Sequence, residues 1–536
     1  MAADMNTLAN LDAWSRKPLG RPGLIGVGAI IALLPAWLFA DALATYRLYG
    51  DDFAYLGESR TLTRSLENLF TPHNAHVVPA WRLLTWALLA AAGGVGSIQS
   101  VLAAMSYGSL AASMILVGRL VARESASAAA GLAAMAAVGA TSVMQSAGTW
   151  YSASQTLWAG LGILGSLWYL QGWRRAGGPI RLVLSAACCV LAGGFWTIGH
   201  ASGPVGAVYL WMDGRRRCRL ASIVPLLSSL VAAGLSLALG GLRPKAIVIG
   251  VHGRSLGEAI RPMAGLGHTL QAIPETLGFG NLGMAVETTP GQGALLSALM
   301  AAIWIRALVK GKRWPAPMEA AGLSMVFLSY WVEWSFRGYL PFASLRWPIV
   351  PWYDAVPHLG AVLFVAGWWS SGRGELRRRA AMPSRAQGAL AVGFAALLVV
   401  LHQPRADYML THDALRLPPM SAAEGAIYPT PRLQRLRGVA LGALRADWQR
   451  RALVRLDQAG EAARRVGIGR KAIARTFGRL SIPDLPEVDE YDAVDLIDVP
   501  EGGGLDLDPA RVRRELGRFL EAEPPPTLPV PRLVGP

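Results

Sequence analysis

Cysteine is nearly absent from this chain. There are three in 536 residues, with Cys188 and Cys189 adjacent in an apolar run and Cys218 inside a basic cluster. That spacing provides neither a disulfide framework nor a zinc site. Charge is scarce too: only 16% of residues are Asp, Glu, Lys or Arg, while 53% are hydrophobic and the mean hydropathy is +0.34. A globular domain carries about a quarter charged residues. A disordered chain is excluded, and an ordinary soluble enzyme does not fit. Also missing are a Walker-type phosphate loop and a Cys-x-x-Cys pair. No nucleotide-binding domain is visible, which argues against an ATP-driven pump.

What is present is a succession of long apolar runs over the first three quarters of the chain, each near the roughly 20 residues that cross a bilayer. The first, Leu24 to Ala44, follows Arg16, Lys17 and Arg21. Basic clusters recur at Arg119/Arg123, Arg174/Arg175/Arg181, Arg215 to Arg219, Lys310 to Arg313 and Arg373 to Arg379, with basic-poor segments between them. This alternation is the positive-inside signature and places residues 1–23 in the cytoplasm. Further spans are predicted near 98–118, 126–145, 154–172, 180–197, 199–213, 219–240, 291–309, 317–332, 357–370 and 386–402.

The fold class expected is an all-α polytopic membrane protein of about eleven spans. It comprises a membrane domain over 24–402, a large first external loop at 45–97, a second at 242–290, and a small, mainly helical tail. Val77 to Ala92 is apolar but carries Pro79 and Arg82 in its first turns, and counting it as a span would put Arg119 and Arg123 outside. It is read as a helix dipping into the membrane within the first external loop. The alternative is twelve spans and an internal C-terminus.

The tail, 403–536, holds 20 Lys and Arg against 19 Asp and Glu, so about +15 of the formal charge of +16 lies in the membrane part. Loop orientation explains that charge, and a nucleic-acid partner loses its support. Within the tail, the apolar spacing of Leu433, Leu436, Val439, Leu441 and Leu444 predicts basic helices over Leu433–Leu480. An acidic stretch Asp484–Asp498, a short helix Asp508–Leu520 and a Pro-rich end follow. The expectation is an external accessory domain or an arm resting on the membrane surface.

Many Trp residues sit where spans meet water and read as an interfacial belt. Trp150-Tyr151 and Trp334 fall in the same external loops as polar residues, which opens a functional alternative. The first external loop carries the best chemistry. It opens with Asp51-Asp52, then Glu58, and closes with His73-Asn74-Ala75-His76 before Pro79 and Arg82. Adjacent carboxylates just beyond a span are costly against lipid and point to a site by default. Alone they could simply end the span in water; His73, Asn74, His76 and Arg82 in one loop tip the balance.

An acidic pair just past the first span, on a long external loop ending in a membrane-associated helix, resembles the GT-C superfamily of polyprenyl-phosphate-sugar glycosyltransferases. Protein O-mannosyltransferases and lipid A aminoarabinose transferases belong to it. The His73-Asn74-Ala75-His76 run, with Pro79 and Arg82, is similar to the His-Asn-Glu-His-Arg-type run of one bacterial branch, with Ala75 in place of the acid and Val77 in place of the Arg. The resemblance implies a bacterial inner-membrane enzyme. It would transfer a sugar from a polyprenyl-phosphate donor to a glycan, lipid or protein acceptor at the external face.

By resemblance, Asp51 or Asp52 is the catalytic carboxylate, with Asp52 preferred, and Arg82, Arg337 and Arg346 contact the phosphate. His73 and His76 orient acceptor or donor. Asn74, Trp150, Tyr151 and Tyr339 join the binding set, as does His200, at a turn where relatives carry a basic residue. Several relatives hold a divalent metal with a second acid in the next external loop. Here Gln145 to Ser152 has no carboxylate; Asp51, Asp52, His73 and His76 could still form a divalent-metal site, but no metal ligand or cofactor is assigned. Two other readings stay open. One is a flippase or solute transporter, which would want ionisable residues at mid-membrane. The other is a polysaccharide polymerase or ligase.

Overall fold

The computed structural model describes residues 17–48, 50–73, 76–241, 261–275, 289–311, 313–337, 351–371, 384–412, 428, 430–477, 493–499 and 508–520. Among them there is no named strand. The chain enters through α1 (Arg21–Leu38) and one-turn α2 (Ala40–Ala44). The first loop folds into α3 (Asp51–Glu58), α4 (Leu62–Glu67) and α5 (Pro79–Ala92). Next come α6 (Ile98–Ser125), α7 (Ala128–Gly139), α8 (Gln145–Thr149), α9 (Gln155–Ala176), α10 (Pro179–Phe195), α11 (Ser202–Trp211), α12 (Arg216–Ala221) and α13 (Ile223–Gly241). Then follow α14 (Pro262–Ala272), α15 (Pro290–Lys310), α16 (Pro317–Arg337), α17 (Ala355–Ser371) and α18 (Arg385–His412). The tail supplies α19 (Pro431–Val466), α20 (Arg470–Phe477) and α21 (Pro509–Leu520).

Local sequence marks many of these boundaries. Helices α5, α10, α14, α15 and α19 open on proline, whose fixed φ suits the first turn and whose missing N–H would have had no helical partner. Thr289 and Gln292 close a reciprocal capping box at α15. Gly93 (φ 74°) ends α5 and Gly467 (φ 77°) ends α19, both in the left-handed conformation that glycine adopts without strain.

Five segments are long and apolar enough to cross a membrane: Arg21–Leu38, Ile98–Ser125, Arg216–Gly240, Gly291–Lys310 and Arg385–Pro404. The α7 helix and Ser142–Thr149 form a sixth if taken as one span bent by 59°. Outward residues on these helices are apolar and exposed, such as Leu227, Val231 and Ile303, as contact with hydrocarbon requires. The span expected at 199–213 differs. Its helix, α11, has ten residues, about 15 Å of rise, which is half the hydrocarbon thickness. The 14 residues of α5 reach only about 21 Å.

Two apolar cores form. One fills the helix bundle, with Met114, Leu164, Tyr209, Met325 and Leu359 among its buried members. The other is shared between the first loop and the tail: Phe53, Leu56, Trp81, Ile98 and Leu102 pack with Leu453, Leu456, Ile473, Leu496, Val512 and Leu516. Each fully buried Leu or Phe there contributes about 1.5–3 kcal/mol.

Polar clamps fix the same contact. Gln449 accepts from Leu48 N (2.7 Å) and donates to Leu48 O (2.6 Å). Asp457 accepts from Arg60, Val95 N and Gly96 N at 3.0, 3.2 and 2.7 Å. Of the apolar residues at helical spacing early in α19, Leu441 is buried while Leu433, Leu436 and Leu444 are exposed, and Leu453, Leu456 and Ala463 carry the packing against the first loop.

Candidate functional site

Gly50, at φ 55° and ψ −125°, turns the chain into α3 in a conformation that a β-carbon would oppose. Asp51 and Asp52 then occupy the first turn, where helix peptide dipoles favour carboxylates. As neighbours on the helix they point about 100° apart, which separates their surroundings. Phe53, Tyr55 and Leu56 face the shared core, and Asp52 is drawn inward with them to full burial.

Burying a carboxylate requires compensating donors, and the loop after α8 provides them. Asp52 Oδ1 accepts from Trp150 Nε1 (3.1 Å), from Ser152 N (2.9 Å) and from the Ser152 hydroxyl. Asp51 keeps 27% of its side-chain surface, and its Oδ1 lies 3.2 Å from His73 Nε2. The His73 ring packs 4.6 Å from that of Tyr55.

His73 and His76 bond to each other through both main-chain pairs at 2.8 Å, which ties the two histidines together. His76 pairs through Nδ1 with Thr197 Oγ1 at 2.6 Å, and its ring lies 4.1 Å from that of Trp196. Its Nε2 is 3.7 Å from Glu333 Oε1, and Trp196 Nε1 donates to Glu333 Oε2 at 2.9 Å. Beyond this, Tyr353 stands edge-on to Trp334, and Tyr330 donates to Asp354 at 2.7 Å.

Arg82 is wholly buried. Its Nε and Nη2 both reach Glu58 Oε2, at 2.9 and 2.7 Å, while Nη1 makes no hydrogen bond among the described residues. Trp81 stacks on Tyr151 at 4.5 Å, and the Tyr151 hydroxyl meets Thr85 Oγ1 at 2.5 Å. Burial pushes the Tyr55 and Tyr151 hydroxyls well up, with Asp51 and Asp52 respectively adding to the shift. Both phenols are therefore neutral at physiological pH.

Of the expected residues, Asp51, Asp52, His73, His76, Arg82, Trp150 and Tyr151 thus belong to one continuous cluster built from the first loop, the α8–α9 turn and the end of α10. His200 does not join it directly. Its ring lies against Gly193, and its Nδ1 has no hydrogen-bond partner among the described residues. Arg337 closes α16 one turn beyond Glu333, with its side chain outside the described residues. Asn74, Tyr339 and Arg346 lie outside them as well.

Glu333, Ser152, Thr197, Trp196 and Asp354 are members that sequence reasoning did not single out. Glu333 carried a usable signal, an acid in the last turn of an apolar helix. The donor set does not suit a resident metal. Asp52 Oδ1 already takes three hydrogen bonds, and no three His, Cys, Asp or Glu side chains among the described residues converge as an ion would need. No protein-family model matches the chain, and no curated protein matches it. The likeness to the GT-C superfamily therefore rests on its residues alone.

Proposed function

We propose that the chain is a membrane glycosyltransferase that moves a sugar from a polyprenyl-phosphate donor onto a hydroxyl or amine of a glycan, lipid or protein acceptor. The reading is carried by the convergence of the acid pair with two histidines, a buried arginine and stacked aromatics at the end of the first apolar helix. In this proposal the chain makes eleven crossings, with α5 dipping into the membrane and α11 completing one crossing together with the turn before it. The N-terminus is cytoplasmic, and α3 and the tail are external, in a bacterial inner membrane.

The two aspartates divide the work. Asp51, partly exposed and paired with His73, takes the proton of the acceptor as its oxygen or nitrogen bonds to the anomeric carbon. The bond from that carbon to the phosphate oxygen breaks, and the polyprenyl phosphate departs. A base placed this way contributes about 10²–10⁴-fold. Asp52, with its triple hydrogen bond, anchors the α8–α9 turn beneath the reacting groups. Arg82, held by Glu58, keeps a positive charge near the departing phosphate.

The test is transfer of labelled sugar from polyprenyl phosphate by the reconstituted protein. Asp51→Asn should lose at least about a hundredfold in rate at normal expression. Undiminished transfer by Asp51→Asn would defeat the assignment. Movement of lipid-linked glycan across the vesicle with no transfer would favour a flippase instead.

A further inference from the structure

The end of the bundle opposite the acid pair gathers arginine far beyond its acids. Between 119 and 219 the chain carries Arg119, Arg123, Arg174, Arg175, Arg181, Arg215, Arg216, Arg217 and Arg219, against Glu124 and Asp213 as the only carboxylates. Both acids are already engaged. Glu124 takes Arg174 (2.8 Å) and Gln171 (2.9 Å), and Asp213 takes Arg215 and lies 3.5 Å from Arg174.

Arg123, Arg175 and Arg181 meet no carboxylate among the described residues, yet they crowd together at one junction of helix ends. Arg175 donates to the carbonyl of Arg123, Arg181 to that of Gly177 (2.8 Å). The guanidinium groups of Arg123 and Arg181 both flank Gly172, and a β-carbon built there would lie 3.8 Å from Arg123 Nη1 and 3.4 Å from Arg181 Nε. The carbonyl ends of α6 and α9 offset only part of this charge, about half a unit each.

Aromatic rings hold the cations in place. Arg123 sits 4.9 Å over Trp168, Arg217 5.9 Å over Trp173 and Arg219 5.6 Å over Trp211. Directly beside the cluster, Ile180, Val183 and Leu184 of α10 and Leu220 and Ile223 after Arg219 are exposed. An apolar wall thus adjoins a preorganised set of guanidinium groups, which form strong paired hydrogen bonds to phosphate. A ligand that fits has a phosphate anion at one end and hydrocarbon at the other.

We propose that the junction of α6, α9 and α10 is a binding site for the headgroup of an anionic phospholipid, with its phosphodiester on Arg123, Arg175 and Arg181 and its acyl chains along α10. The proposal rests on the membrane reading of the apolar helices and is independent of the sugar-transfer chemistry.

Delipidated full-length protein is titrated with phosphatidylglycerol, phosphatidylcholine or inorganic phosphate, and retained adducts are read by native mass spectrometry. Phosphatidylglycerol should be retained and phosphatidylcholine lost. The Arg123→Gln/Arg175→Gln/Arg181→Gln variant should weaken retention at least about tenfold, since each basic side chain near a phosphate surface strengthens binding several-fold. Arg175 is exposed, so Arg175→Gln alone leaves the packing untouched and should weaken it by a few-fold. Equal retention of both lipids, or full retention by these variants, would overturn the site. Displacement of the lipid by inorganic phosphate at like concentration would overturn the lipid assignment.

Discussion

Replacing Gln449 with Leu removes the central polar tie between tail and first loop. The Gln449 amide is fully buried, and it satisfies Leu48 N, Leu48 O and Gln99 Nε2 at 2.7, 2.6 and 2.6 Å. A leucine keeps most of the volume but leaves two main-chain groups and one amide stranded, each worth about 1–3 kcal/mol. Partial relaxation brings the expected loss to about 2–4 kcal/mol, or roughly 30- to 1,000-fold in the equilibrium for opening the segment.

Hydrogen exchange on the full-length protein reads this directly. Amides in a peptide covering 45–60 should lose protection by that factor, while those of α9 stay as they were. Gln449→Glu keeps the acceptor for Leu48 N and loses the donor to Leu48 O, so its loss should fall near tenfold. Protection of 45–60 within about threefold of the wild type in Gln449→Leu would show that the tail does not hold the acid loop.

Asp52→Ala strips three buried donors of their acceptor and should lower stability by about 3–5 kcal/mol in denaturant unfolding, whereas Asp52→Asn, which keeps Oδ1, should lose less than about half of that. Glu58→Gln leaves the buried Arg82 guanidinium without its counter-charge and should destabilise by about 2–3 kcal/mol, discounted because Glu58 is 26% exposed. Calorimetry of the single variant, with Arg82→Met/Glu58→Gln as partner, measures the coupling.

The helical architecture was readable in part because long apolar runs are local signals: helices Pro79–Ala92 and Pro179–Phe195 lie where runs over Val77–Ala92 and 180–197 place them. The acid pair was readable because carboxylates stand out in a chain so poor in charge. The division between Asp51 and Asp52 was not, since it depends on Trp150 and Ser152, about a hundred residues away, reaching one aspartate and not its neighbour. Glu333 and Trp196 were hidden in the same way, each ordinary on its own helix until His76 lies between them. The docking face of α19 was not legible either, since Leu433, Leu436 and Leu444 of the apolar stripe are exposed while Leu441 is buried. Periodicity identifies a stripe, and only tertiary contact shows which part of it is covered.

The tie between Leu48 and Gln449 joins residues 401 positions apart. Synthesis at about 5–20 residues per second puts roughly 20–80 s between the emergence of the first loop and that of its clamp. For that interval Phe53, Leu56 and the main chain around Leu48 wait without the partners that bury them in the finished protein. The acid site is therefore among the last parts of the molecule to mature, although its aspartates are among the first residues made. A chain interrupted before α19 would carry every residue of the cluster in an inserted bundle and still lack the contact that holds α3 in place.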